Sequence, residues 1–362
     1  MLVVRGVATT LLGLALAGGC EGTPANEHGD PPPDLAAVSE PARPEPAPLP
    51  GEAECRECHA EVAEQWARSR HHLSFTNADF ARSHAREPRP FCRDCHAPAR
   101  ARPASLPRLD DAGAEQLGVG CIDCHVDPDR PHAVLTGPDP DTTAPHELLP
   151  AADFGTRSCA RCHEFDFSPT SRRPRGTMMQ TTMREHASSA HAEQSCADCH
   201  LPTRSSDTLG GRDHSLASTR DPAAWRAALE VEARRERDTL ILALRPVGVG
   251  HALPTGDLFR RLEVHAQLRR GEQILAERTR YLDREFEAWR KLDGRRNPAY
   301  ERPVVDDRLT GPTTIELALE HDGSEGAVLE WWVDYERVDA RSHLQPARST
   351  LASEIRLAQG VL

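Results

Sequence analysis

The chain has 362 residues and a formal net charge of -12; 38% of its residues are hydrophobic and only 4% aromatic, and the mean hydropathy is -0.57. This composition excludes a polytopic membrane protein and is poor material for a conventional aromatic core of this size. The acidic balance disfavours a nucleic-acid partner, because neutralising phosphates requires a basic face.

Taken in chain order, residues 1–20 carry one early charge at Arg5, an apolar run from Val7 to Ala17, and Gly18-Gly19 before Cys20. The run is too short to span a bilayer and reads as a secretory signal. Its ending resembles a bacterial lipobox, which makes Cys20 the lipidation candidate and a lipid anchor the expected membrane contact. Residues 21–50 hold nine prolines among Glu, Ala and Asp, an extended tether that cannot bury apolar area.

From residue 51 to 221 the sequence is dense in Cys, His, Pro and Arg, with short helical patches such as Ala60 to Arg70. After Asp221 no cysteine follows. A connecting helix is expected over 222–238, then a β-sandwich-like domain over 239–362. Its expected strands are Thr239 to Leu244, Arg261 to Leu268, Thr313 to Leu319, Ala327 to Tyr335 and Leu351 to Leu357, with loops at DGRRNPAYERP and DGSEG. The fold class is therefore α+β and multidomain, with a mostly helical or irregular cysteine-rich domain followed by a β-sandwich-like one.

Five segments share one pattern: CRECH at 55–59, CRDCH at 92–96, CIDCH at 121–125, CARCH at 159–163 and CADCH at 196–200. They use ten of the 11 cysteines, and Cys20 is the eleventh, so no disulfide is required. Cys-x-x-Cys-His attaches a c-type haem: the thiols add to the vinyl groups and the histidine reaches the iron. A zinc ribbon or a redox Cys-x-x-Cys leaves the histidine unexplained, and its chance recurrence in all five is about one in three million at this histidine content. The thioether positions are Cys55, Cys58, Cys92, Cys95, Cys121, Cys124, Cys159, Cys162, Cys196 and Cys199, with His59, His96, His125, His163 and His200 as proximal ligands. With roughly 34 residues of this domain per haem, five haem c groups form its core and must lie close together.

What fills the opposite side of each iron separates a wire from an enzyme. Met178, Met179 and Met183 are clustered and suit packing. Histidines are in surplus: His71, His72, His84, His132, His146, His186, His191 and His214 remain in this domain, and His251 follows in the next. Paired Asp127/Asp129 and Asp139/Asp141 lack a complete calcium loop.

The residues resemble the periplasmic multihaem c-type cytochromes related to the nitrifiers' tetrahaem carrier and to the haem region of hydroxylamine oxidoreductase. ECHAEVAEQWARSRHH supplies Trp66, Ser69 and His71 of a Trp-x-x-Ser-x-His pattern whose histidine is a distal ligand in that group. APHELLP with His146, GGRDHSLASTRDP with His214, and VGVGHALPTGDLFRRLEV with His251 also look like family segments. The resemblance thus implies His71, His146, His214 and His251 as first-choice distal ligands; His186 and His191, in a further family-like segment, and His84 and His132, from the surplus, are second choices.

Electron transfer through five mainly bis-His haems, in the periplasm or at the cell surface, is the leading expectation, with other cytochromes or membrane quinol-linked complexes as redox partners. The alternatives are a haem redox enzyme with one open axial site, acting on a small nitrogen or sulfur compound, and a subunit of a conductive assembly. Pentahaem nitrite reductases use a lysine ligand, whereas none of the five motifs ends in lysine. Hydroxylamine oxidoreductases cross-link a tyrosine to haem, whereas Tyr281, Tyr300 and Tyr335 lie beyond the motif segment. Export follows from the leader and from haem attachment outside the cytoplasm.

Overall fold

The computed structural model describes residues 51–86, 88–138, 144–166, 177–203, 211–290, 296–322, 325–340 and 349–362, without the side chains of 286–304 and 339–340. The leader, Cys20, the proline-rich segment, Asp139 and Asp141 lie outside them. Among the described residues no helix is long and apolar enough to cross a membrane.

The cysteine-rich half is built from short helices, among them Ala60–Ala67, Ala78–Arg86, Asp111–Leu117 and Thr182–Ala187, with two small strand pairs. Strands β1 (Ala133–Thr136) and β2 (Glu147–Pro150) run parallel, and β3 (Glu164–Asp166) pairs antiparallel with β4 (Met178–Thr181). Its side-chain cores are small: Trp66, Ala97, Ala99, Ala114 and Leu117 in one cluster, and Leu106, Ile122 and Val126 in another. The apolar deficit of the composition is therefore concentrated in this half, while the second half packs normally.

There, β5 (Leu229–Glu236), β6 (Thr239–Pro246), β7 (Arg260–Arg270), β8 (Gln273–Leu282), β9 (Arg284–Arg290), β10 (Arg296–Asp306), β11 (Thr313–Ala318), β12 (Val328–Ala340) and β13 (Thr350–Val361) follow in order. One sheet has the order β11-β6-β5 and the other β13-β12-β7-β8; β9 and β10 form a hairpin. Alternation sets their inner faces: Leu240, Leu242 and Leu244 of β6, Leu262, Val264, Ala266 and Leu268 of β7, and Leu329, Trp331 and Val333 of β12 enter one shared core. Each such aliphatic side chain contributes about 1.5–3 kcal/mol on full burial. Two antiparallel sheets closing on one core is a sandwich arrangement.

Three expectations require correction. The expected helix over 222–238 stops at Ala227, and Leu229–Glu236 is a strand. EVEARRE has good helix formers, but pairing along β6 turns Leu229, Val231 and Ala233 to the core, and tertiary packing overrides propensity. The expected loop DGRRNPAYERP is largely strand β10 from Arg296 onward. Strand β8 was not expected; it is a polar edge strand, exposed over most of its length, so it carries no apolar alternation to read.

The halves are tied by buried polar contacts. Arg284 donates to the carbonyls of Met178 (2.6 Å) and Met179 (2.9 Å), and Met179 packs on Leu258, the packing role expected of that methionine cluster. Glu185, on helix Thr182–Ala187, accepts from Arg308 (2.8 Å), Thr255 Oγ1 (2.6 Å) and the amide of Ala252 (3.2 Å). Ala252 adjoins His251, so this carboxylate fixes the loop carrying that histidine.

Candidate haem sites

Each Cys-x-x-Cys-His segment sits on a helical turn. Cys92–His96, Cys121–His125 and Cys196–His200 are five-residue helices, CARCH closes helix Phe154–His163, and CREC closes helix Glu52–Cys58 with His59 as its C-cap. Residues three and four apart share a helix face, so two thiols and an imidazole are presented together to one flat body. Side chains between the cysteines hold these short helices: Asp123 accepts from the Gly120 amide (2.8 Å), and Asp198 from the Ser195 amide (2.8 Å), satisfying orphan donors at the helix start. None of the ten motif cysteines is in a disulfide.

The motifs pack on one another through those thiols. Cys55 lies beside Cys121, Cys95 beside Cys162, and Cys159 beside Cys196. Ser158 donates to the Cys124 carbonyl (2.9 Å), joining the third and fourth motifs. Burial pushes the Cys124 thiol up to about 12. The resulting order of contact is first to third to fourth, with the second and fifth both against the fourth.

The first-to-third contact has a buried ionic staple that spacing did not reveal. Arg102 donates to Glu52 (2.7 Å) and to both oxygens of Asp123 (2.8 Å each), and Glu52 also accepts from the Cys121 amide (2.9 Å). Only the side chain's near-complete burial, 4% exposed, marks this arginine out among so many.

Histidines face one another in three pairs. Ring centres are 6.4 Å apart for His71 and His163, 6.2 Å for His125 and His214, and 6.1 Å for His200 and His251. Two imidazoles bound head-on to one metal, at bonds of about 2.0–2.1 Å as in zinc sites and with each ring centre about 1.2 Å behind its nitrogen, stand roughly 6.3 Å apart. The Nδ1 atoms of His125, His214 and His251 lie 3.1, 2.9 and 3.0 Å from the carbonyls of Leu135, Arg212 and Ala252, and that of His200 lies 3.1 Å from Ser218 Oγ. That arrangement leaves Nε2 as the ligand atom. Burial pushes His71 and His125 down to about 4 and His163 to about 3, so these imidazoles are neutral, the form a metal binds. The donor set, its spacing and its tautomers fit haem iron.

His59 is exposed, and among the described residues neither it nor His96 has a second imidazole at such a separation. His96 Nδ1–H donates to Ser74 O (2.8 Å) and the ring stacks on Phe80, with centres 3.8 Å apart. His84 stacks on Phe80 and meets Phe75 edge-on, with its Nε2 buried and without a hydrogen-bond partner. His146 is brought to no proximal histidine, and its Nδ1 is likewise buried without a partner. His132 is exposed, His186 lies against Gly250, and His191 is bonded to Gln194 (2.8 Å). His72 Nδ1 lies 3.0 Å from Leu117 O, and its ring packs on Trp66.

The Trp-x-x-Ser-x-His pattern acquires a physical reading. Trp66 Nε1 donates to Val119 O (2.8 Å), Ser69 Oγ accepts from the His72 amide (3.2 Å), and the Val119 amide donates to His71 O (2.9 Å). Tryptophan and serine thus lock the turn from which His71 projects. Asp127 and Asp129 form a local turn, the Asp129 amide donating to Asp127 (2.9 Å), and no cluster of metal-ligating side chains occurs among the described residues.

Residues 54–126 match the family model described as cytochrome c554 and c-prime. The crystal structure of a penta-heme cytochrome c552 from Thermochromatium tepidum superposes with a TM-score of 0.62 at 18% identity, covering 88% of this chain and 100% of that one. The fold is that of a multihaem c-type cytochrome. No curated protein matches significantly. In this fold the short motif helices present the Cys-x-x-Cys-His side chains, and the sandwich contributes His251 to the set of facing imidazoles.

Proposed function

We propose that the protein carries electrons through five covalently bound haem c groups at the sites Cys55–His59, Cys92–His96, Cys121–His125, Cys159–His163 and Cys196–His200. The reading assigns His71 as the distal ligand opposite His163, His214 opposite His125, and His251 opposite His200. A bound haem supplies one-electron exchange at its iron; the chain supplies attachment, axial ligands and spacing. The observation that carries the reading is the coincidence of three imidazole pairs at 6.1–6.4 Å with motifs that lie against one another. Continuous motif contact keeps neighbouring macrocycles close, which is what conduction needs.

The contact order makes the fourth site a junction, with the first and third on one arm and the second and fifth as two exits. The reading includes export to the periplasm or cell surface, a lipid on Cys20, and docking to other cytochromes or quinol-linked complexes. Propionates, about two per haem, would add to the net charge of -12 and favour a basic face on the partner.

A second reading has one observation in its favour: the sites of His59 and His96 lack a facing imidazole. An open position at either would admit a small nitrogen or sulfur compound. Haem counting by haemochrome absorbance against protein mass, with low-temperature electron paramagnetic resonance, separates the two. Five haems, three of them low-spin bis-His and none responding to nitrite, hydroxylamine or sulfite, support the carrier. Turnover of one of these compounds by a high-spin haem supports the enzyme.

A further inference from the structure

The interface between the sandwich and the motif segment contains a group of arginines that the ligand chemistry above does not use. Arg260 opens β7 and Arg337 lies on β12; Arg70 approaches from the turn before His71. Asp257 lies 3.5 Å from Arg260 and 3.4 Å from Arg337, and Asp79 lies 3.8 Å from Arg337 and 3.9 Å from Arg70. These are loose contacts beside the 2.6–2.8 Å pairs of Arg102, Arg261 and Arg308 elsewhere in the molecule. Asp79 is moreover held closely by Arg82, at 2.8 Å. Three guanidiniums thus share Asp257 and what remains of Asp79, which leaves positive charge in excess and N–H donors to spare.

The excess is felt within the group. Burial alone would raise the Asp257 carboxyl, yet Arg337 and Arg260 hold it well below the usual carboxylate range. The group also adjoins the proposed iron sites: Asp79 precedes Phe80, whose ring stacks on His96 with centres 3.8 Å apart, and Arg70 precedes His71, whose ring centre is 6.4 Å from that of His163. Arg260 is hydrogen-bonded to Tyr335, whose ring is stacked on Trp225 at 4.0 Å, so its fork is held in place. Arg260 nonetheless keeps 32% of its side-chain surface accessible and Arg337 14%. A partly unbalanced cationic group with free donor capacity calls for an anionic oxygen ligand.

We propose that Arg260, Arg337 and Arg70 receive the propionate carboxylates of the haems attached at Cys92–His96 and Cys159–His163, so that the sandwich domain sets the position and potential of the second and fourth haems. The proposal rests on the five-haem reading. Guanidiniums match carboxylates in a bidentate fork, and a positive charge beside a haem favours its reduced form. A unit charge about 10 Å away in an effective dielectric of about 20 changes the reduced-to-oxidised ratio on the order of tenfold, about 59 mV for a one-electron couple.

The test uses the complete holoprotein with its propionate carboxylates labelled with carbon-13 through the haem precursor 5-aminolaevulinate. Redox-difference infrared spectra and potentiometric titrations are compared for wild type, R260Q, R337Q, the charge-conserving R260K, and R245Q, an exposed arginine of β6. R260Q and R337Q are expected to move a labelled carboxylate band and to make one or two haems harder to reduce, by about tenfold in the ratio at fixed potential. R260K should retain most of the potential, and R245Q should match wild type. Unmoved bands and potentials in R260Q and R337Q would overturn the proposal. So would nitrite or sulfite binding to wild type that R260Q alone abolishes, since the group would then hold a free oxyanion. A haemochrome count below five in wild type would instead count against the five-haem reading.

Discussion

Replacing Gly118 by alanine tests the assignment of His71 without touching a ligand. Gly118 has φ +69° and ψ -136°, a region that side chains strongly disfavour, at about 1–3 kcal/mol. A Cβ there would lie 2.3 Å from His72 O and 2.5 Å from His71 O. Ordinary contact needs roughly 3.3 Å, so the backbone of His71 and His72 must retreat by nearly 1 Å. The Val119 amide that holds His71 O at 2.9 Å moves with it. Strain and overlap together predict a loss of about 3 kcal/mol and a fall in melting temperature of roughly 6–9 °C. A metal–nitrogen bond of about 2 Å does not survive a displacement of half its length, so one haem should become high-spin, as in H71A. The assay is the high-spin signal of G118A and H71A beside wild type, with thermal melts. A G118A protein with an unchanged spectrum and a melting point within about 2 °C of wild type would refute the reasoning.

H214A and H251A should each convert one low-spin haem to high-spin, whereas H132A and H191A should leave the magnetic spectrum as it is; a silent H251A would remove the pairing with His200. R102A strands the buried Glu52 and Asp123 carboxylates and should cost about 3–5 kcal/mol in denaturant unfolding; a loss below about 1 kcal/mol would show that the staple is dispensable. The Glu185 carboxyl, which burial alone would raise, is held below its usual range by Arg308 and its hydroxyl donors. A depressed carboxylate stabilises fully above its unfolded pKa of about 4.3 and loses that contribution as pH falls through the folded value. E185Q should therefore be less stable than wild type at pH 7, with the difference shrinking as pH falls below about 4. Equal stability of E185Q and wild type at pH 7 would contradict this.

The parts legible in sequence are those whose physics is local. A Cys-x-x-Cys-His turn attaches a haem within five consecutive residues, and the strands with strict alternation, such as Leu262, Val264, Ala266 and Leu268, announce their buried face. Polar edge strand β8 and strand β5, written in helix formers, do not, because pairing partners rather than their own side chains decide them. Among the histidines, His71 and His72 are adjacent and chemically identical. Only the closure of Gly118 and Val119 over their carbonyls turns one toward His163 and the other toward Leu117.

The sequence by itself determined the five Cys-x-x-Cys-His motifs, and with them the thiols and imidazoles that the proposed haems would use. Tertiary structure alone decided which imidazole faces which, that the fourth motif is the meeting point of three others, and that Arg102 and Glu185 are buried against opposite charges. The physical reason is range. Covalent attachment needs neighbours on one helical turn, whereas axial pairing, motif contact and charge burial join residues that only the folded chain brings within a few ångströms.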